Sequence, residues 1–114
     1  MITAGANAER LAERFLLAQG LALLERNYRC RFGEIDLVMR DRETLVFVEV
    51  RLRSHSGYGG AAGSITAAKR ERLLRAARHY LAREPRTPAC RFDAILLDGT
   101  REPRIEWIRD AFGE

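Results

Sequence analysis

Hydrophobic positions along this chain change their period several times. From Ala4 to Gln19 the apolar residues Ala8, Leu11, Ala12, Phe15 and Leu16 recur at helical spacing, which predicts an amphipathic helix closed by Gly20. LALLERNYRC, Leu21 to Cys30, is predicted as a first strand, and two alternating runs follow, Glu34 to Arg40 and Leu45 to Leu52. SHSGYGGAAG, Ser54 to Gly63, offers nothing to a core and predicts a loop. SITAAKRERLLRAARHYLAREP carries Leu73, Leu74, Ala77, Tyr80 and Leu81 on one arc and predicts a second helix ending before Pro85. CRFDAILLD, Cys90 to Asp98, is apolar on both faces and predicts an interior strand; RIEWIRDAF predicts a last strand at an edge. The order α-β-β-β-α-β with a short C-terminal strand defines an α/β (α+β) mixed-sheet fold, expected to form one domain over residues 1–114.

The two middle strands carry the chemistry. Side chains alternate along a strand, so Glu34, Asp36, Val38 and Arg40 are expected on one face and Ile35, Leu37 and Met39 on the other. In the next strand Leu45, Phe47, Glu49, Arg51 and Arg53 share a face, opposite an apolar row of Val46, Val48, Val50 and Leu52. A four-residue loop, Asp41 to Thr44, pairs Arg40 with Leu45 and Val38 with Phe47; a loop one residue shorter would mix the two faces. Continued along the strands, the first register sets Asp36 opposite Glu49 and Glu34 opposite Arg51. Two carboxylates about 5 Å apart at Cβ repel, and a shared proton, the neighbouring Arg51 or a bound divalent cation would offset the repulsion. The alternative is a solvated ion-pair ladder, Glu34–Arg51 and Glu49–Arg53, on an open sheet face.

Charge narrows the partners. The 114 residues include 20 Lys and Arg against 16 Asp and Glu, a net charge of +4. Lys69 is the only lysine, so 20 − 1 = 19 of these cations are arginine. Arginine's planar fork suits phosphate, although a GC-rich genome produces the same bias. Cys30 and Cys90 belong to no CxxC pair and have no zinc-ligand spacing with His55 or His79, which reads as reduced thiols in a cytoplasmic protein. The N-terminal stretch has no apolar signal core and no segment is long enough to span a bilayer, so no membrane partner is expected. SGYGGAAGS is either a connector or a mobile flap in which Tyr58 stacks on a base; no GK[ST] follows it, so it is not a P-loop. Lys69 and Arg70 open the second helix near the charged end of the sheet, where the helix N-terminus also attracts phosphate. Asp93 reads as structural, held by hydrogen bonds or an arginine, and Trp107 as core closing the sheet edge.

Asp36 followed by Glu49-Val50-Arg51 resembles the PD-(D/E)xK nuclease signature, and GEIDLVMRD, FVEVRLRS, YGGAAGSITAAKRERL, CRFDAILLD and IEWIRDAF together resemble the YraN family. These are small bacterial proteins expected to be endonucleases and related in fold to archaeal Holliday-junction resolvases. The resemblance implies a restriction-endonuclease-like core. It also implies Mg²⁺ or Mn²⁺ bound by Asp36, Glu49 and the Val50 carbonyl, with Glu9 completing the site from the first helix. Asp36, Glu49, Arg51 and Glu9 are then the catalytic set, and Arg53, Tyr58, Thr66, Lys69 and Arg70 the nucleic-acid contacts. The expected substrate is DNA, branched DNA among it, and the junction-resolvase analogy adds a homodimer. Arg51 stands where the signature has lysine, and an arginine cannot act as a general base. The alternative function is a non-catalytic nucleic-acid-binding module on the same fold.

Overall fold

In the computed structural model, which describes residues 4–53, 66–98 and 104–112, the predicted order of elements is present. Helix α1 (Ala4–Ala18) leads to strands β1 (Ala22–Cys30), β2 (Gly33–Asp41) and β3 (Thr44–Arg53). Helix α2 (Ala67–Leu81) then connects to β4 (Cys90–Asp98) and β5 (Arg104–Phe112). One sheet takes the strands in chain order, β1-β2-β3-β4-β5. All neighbours are antiparallel except β3 and β4, which run parallel because α2 carries the chain back between them.

Each helix covers one face. Ala8, Ala12 and Leu16, four residues apart, bury the stripe of α1 against Leu37, Met39, Val46, Val48, Val50, Ile95 and Leu97. Leu73, Ala76, Ala77 and Tyr80 of α2 pack on Tyr28, Ile35, Val38, Leu45, Phe47 and Phe92. Gly20 ends α1 at φ +99°, where a side chain would be strained. Its N–H bonds the Leu17 carbonyl at 3.0 Å and the Leu21 N–H bonds the Leu16 carbonyl at 3.1 Å, which closes the last turn and turns Leu21 into the core. Thr66 caps α2, its hydroxyl accepting the Lys69 N–H at 3.2 Å.

The hairpin register is the one that the pattern selects, with Arg40 facing Leu45 and Val38 facing Phe47. Two details differ from the alternation rule. The β2–β3 ladder stops at Leu37↔Val48, so Asp36 and Glu34 have no ladder partners in β3. Ile35 joins Val38 on the α2 face rather than Leu37 and Met39 on the α1 face, so the pleat is broken at Asp36. The cause lies across the β1–β2 ladder. Asn27, between the pairs Arg26↔Leu37 and Tyr28↔Ile35, has φ +50° and interrupts regular pairing where Asp36 would meet it. The apolar row of β3 also ends at Val50, since Leu52 is exposed.

Trp107 on β5 packs against the α1-side core, its ring edge-on to Phe15. Asp93, 0% exposed, accepts bonds from Arg91, from Trp107 Nε1 at 2.9 Å and from the Asp110 N–H at 2.9 Å. This buried carboxylate ties β5 to β4 and is structural, as its sequence context implies. No described helix is long and apolar enough to cross a membrane.

Candidate functional site

The site is the fork where β2 and β3 part. Beyond Leu37↔Val48 the N–H of Val50 has no backbone partner in β2, and Asp36 Oδ2 accepts it at 2.8 Å. A side chain thus completes the sheet where the strands separate. Glu49, one residue earlier, faces the α2 side with Leu45 and Phe47 and is only 5% exposed. Lys69 Nζ, from the first turn of α2, lies 3.1 Å from Glu49 Oε1. Arg51 Nε lies 3.7 Å from the same oxygen, beyond hydrogen-bond length, and this Nε is buried with no acceptor among the described residues.

Burial pushes the Asp36 carboxyl up to about 8, the Glu49 charge adds to the rise, and the Val50 N–H opposes it. Glu9 contributes through its negative charge, which places α1's acid within electrostatic reach. At neutral pH the Asp36–Glu49 pair therefore holds a proton, while Lys69 and Arg51 face Glu49. Two of the three ways of offsetting the repulsion are built into the fold.

Glu9 is held by a residue that the sequence pattern does not single out. Asn27 Nδ2 donates to Glu9 Oε1 at 2.8 Å and to Glu34 Oε1 at 2.9 Å, bridging α1 to the start of β2. Asparagine tolerates the left-handed backbone better than most residues, and that is the one sequence signal available at this position. Glu34 pairs with Arg29 at 3.5 Å rather than with Arg51, because the ladder never brings it opposite Arg51.

Thr66 serves as the cap of α2, and Arg70 lies over the Phe112 ring at 5.9 Å. Arg53 lies in β3 opposite Asp98, and Tyr58 and the glycine-rich loop fall outside the described residues. The structure thus brings Asp36, Glu49, Arg51 and Lys69 together, with Glu9 beside them.

The donor set fits a small hard cation. Mg²⁺ takes one or two carboxylates and completes its shell with water and substrate oxygens, so two acids suffice. Among the described residues no group of three or more acid, His or Cys side chains gathers as a metal site. The backbone supplies a further oxygen: the N–H and C=O of one strand residue point the same way, so the Val50 carbonyl also faces the open fork.

A sequence model described as "Uncharacterised protein family UPF0102" matches residues 8–97, a span that includes Glu9, Asp36, Glu49 and Lys69. A UPF0102 protein of Nitrosomonas europaea is 63% identical over 110 residues, 96% of this chain and 93% of its own length. One from Methylobacillus flagellatus is 61% identical over 108 residues, 95% of either chain. Another, from Ralstonia nicotianae, is 59% identical over 114 aligned residues, 96% of this chain and 85% of its own. With the match running from the first helix through the fourth strand and high identity across the whole length, the chain belongs to the UPF0102 family, the YraN family that its motifs resemble.

Proposed function

We propose that this protein is a metal-dependent endonuclease that hydrolyses phosphodiester bonds in DNA. The observation that carries the reading is the pair of carboxyls at the strand fork, Asp36 and Glu49, with Lys69 and Arg51 gathered on Glu49. A divalent cation held by Asp36, Glu49 and the Val50 carbonyl supplies charge neutralisation and a more acidic water. The chain's own groups do the rest. Lys69 Nζ, 3.1 Å from Glu49, sits where it can orient a water hydrogen-bonded to that carboxylate. Among the described residues the Arg51 Nε–H has no acceptor, and the planar fork of its partly exposed guanidinium suits a non-bridging phosphate oxygen and its developing charge, which is the part it takes. The signature lysine thus has a counterpart on the helix, although its strand position is taken by arginine.

The second reading is a binding module without cleavage. It is favoured by one observation: a shared proton and two cations already offset the charge of the acid pair, so the fold does not require a metal. Cleavage of labelled linear, flapped and four-way-junction DNA in Mg²⁺, Mn²⁺ or EDTA separates the two. The nuclease reading expects metal-dependent cutting that Glu49→Gln abolishes. Binding without cutting by the wild type establishes the module instead.

A further inference from the structure

A line of exposed cations runs away from the acid pair, along the first turns of α2 and over the β1–β2 turn. Arg72 lies one turn beyond Lys69 on α2, and its stem rests on Gly33: a Cβ built at Gly33 would lie 3.6 Å from Arg72 Cβ. Next to Gly33, the half-buried Phe32 ring meets His79 of α2 edge-on at 6.1 Å. The Arg31 guanidinium lies 4.8 Å above the same ring. Arg29, near the end of β1, is exposed and loosely paired with Glu34 at 3.5 Å. Among the described residues, neither Arg31 nor Arg72 has a carboxylate partner, in contrast to Arg26, Arg75, Arg83 and Arg91. Unpaired surface guanidinium groups beside an aromatic ring combine the two attractions that hold a nucleic-acid strand, one for phosphate and one for the face of a base.

We infer that this ridge is the track for one DNA strand entering the acid site, with Arg31 and Arg72 on its phosphates and an unpaired base stacked on Phe32. The inference rests on the nuclease reading only for the direction of the track. Asp36 lies three residue steps along β2 from Gly33, about 10 Å, which spans about three stacked nucleotides. A duplex keeps its bases paired and offers none to Phe32. The ridge therefore selects DNA with an unpaired nucleotide close to the scissile phosphate: a flap, a fork or an open junction.

The test is fluorescence anisotropy of labelled single-stranded, forked and blunt-duplex DNA in EDTA, where nothing is cut. Arg31→Ala with Arg72→Ala should flatten the salt dependence on single strands by about 1.4 in log–log slope, about 0.7 for each phosphate that is no longer neutralised. Phe32→Leu, which keeps an apolar side chain against His79, should weaken fork and single-strand binding about five- to 150-fold and leave blunt duplex unchanged. Phe32→Trp should retain wild-type affinity. Arg40→Ala, at the far end of β2, is the control for bulk charge. The ridge is overturned if Arg40→Ala flattens the slope as much as Arg31→Ala/Arg72→Ala, or if Phe32→Leu binds forks as wild type does. Wild-type protein that binds forks but never cuts them refutes the nuclease and leaves the ridge standing. Cutting by the wild type with unchanged binding in all the ridge variants does the reverse.

Discussion

Replacing Asp36 by Asn keeps the shape of the fork and removes its titration. The Asn carbonyl can still accept the Val50 N–H, and its amide can donate to Glu49 where the shared proton does now. In the wild type Asp36 titrates at about 8 in the folded chain against 3.8 as an unperturbed carboxyl, chiefly because it is buried and secondly because Glu49 is beside it. Between those two pH values the folded chain holds a proton that the unfolded chain has released, so stability falls as pH rises, by at most about 1.4 kcal/mol per pH unit. Asp36→Asn lacks this loss. Its advantage over wild type should grow by up to about 4 kcal/mol from pH 5 to pH 8. The assay is urea unfolding in EDTA at four pH values across that range, followed by far-UV circular dichroism. With slopes of about 1–3 kcal/mol/M the two midpoints should separate by more than 1 M. Adding Mn²⁺ at about a hundred times its dissociation constant should then raise wild-type stability by about 2.7 kcal/mol and leave the variant unmoved. A gap between the two proteins that stays constant from pH 5 to pH 8 would refute the assignment of the shared proton.

Lys69→Met should lower kcat by about 10²-fold while KM for DNA changes less than threefold, with partial recovery in Lys69→Arg; single-turnover kinetics with the binding constant measured in Ca²⁺ separates the two parameters. Asn27→Gly keeps the positive φ but removes the bridge between Glu9 and Glu34, so isothermal titration should show weaker Mn²⁺ binding with little change in unfolding midpoint. Thr66→Ala removes the cap of α2 and should cost about 1 kcal/mol in thermal or urea unfolding. Hydrogen bonding to Arg26 holds the Glu13 carboxyl below the usual carboxylate range. The stability it supplies is present above the unfolded carboxylate pKa and is lost as pH falls through the lower folded value; Glu13→Gln should therefore flatten that part of the acid-denaturation profile.

Period and punctuation were enough to read the layers of this fold. Gly20 announced the end of α1, the alternation of β3 separated Phe47 from Val48, and the mixed faces of a shorter loop excluded the wrong hairpin register. The break in the pleat at Asp36 was not legible, because the period of two assumes a continuous strand. The interruption comes from the backbone of Asn27, in a neighbouring strand. The acids of the site stood out as carboxylates inside apolar runs. Arg51 and Lys69 are legible as cations near that end, but their gathering on Glu49 is not, since the meeting of Lys69 with Glu49 depends on where α2 crosses the sheet, a tertiary matter. Arg70 shows the same limit: it opens α2 beside Lys69, and the crossing of α2 lays it over Phe112.

The bond from the Val50 N–H to Asp36 has a spectroscopic consequence. Most amides in the middle of a sheet are shielded from solvent exchange by a neighbouring strand, and their rates report the opening of that strand pair. Val50 is shielded by a carboxyl that titrates within the physiological range. Its exchange rate and proton chemical shift should follow the state of Asp36 rather than the opening of the β2–β3 pair. One backbone resonance in a ¹⁵N-edited spectrum would then register protonation and loading of the fork directly, without a dye, a cofactor or a turnover assay.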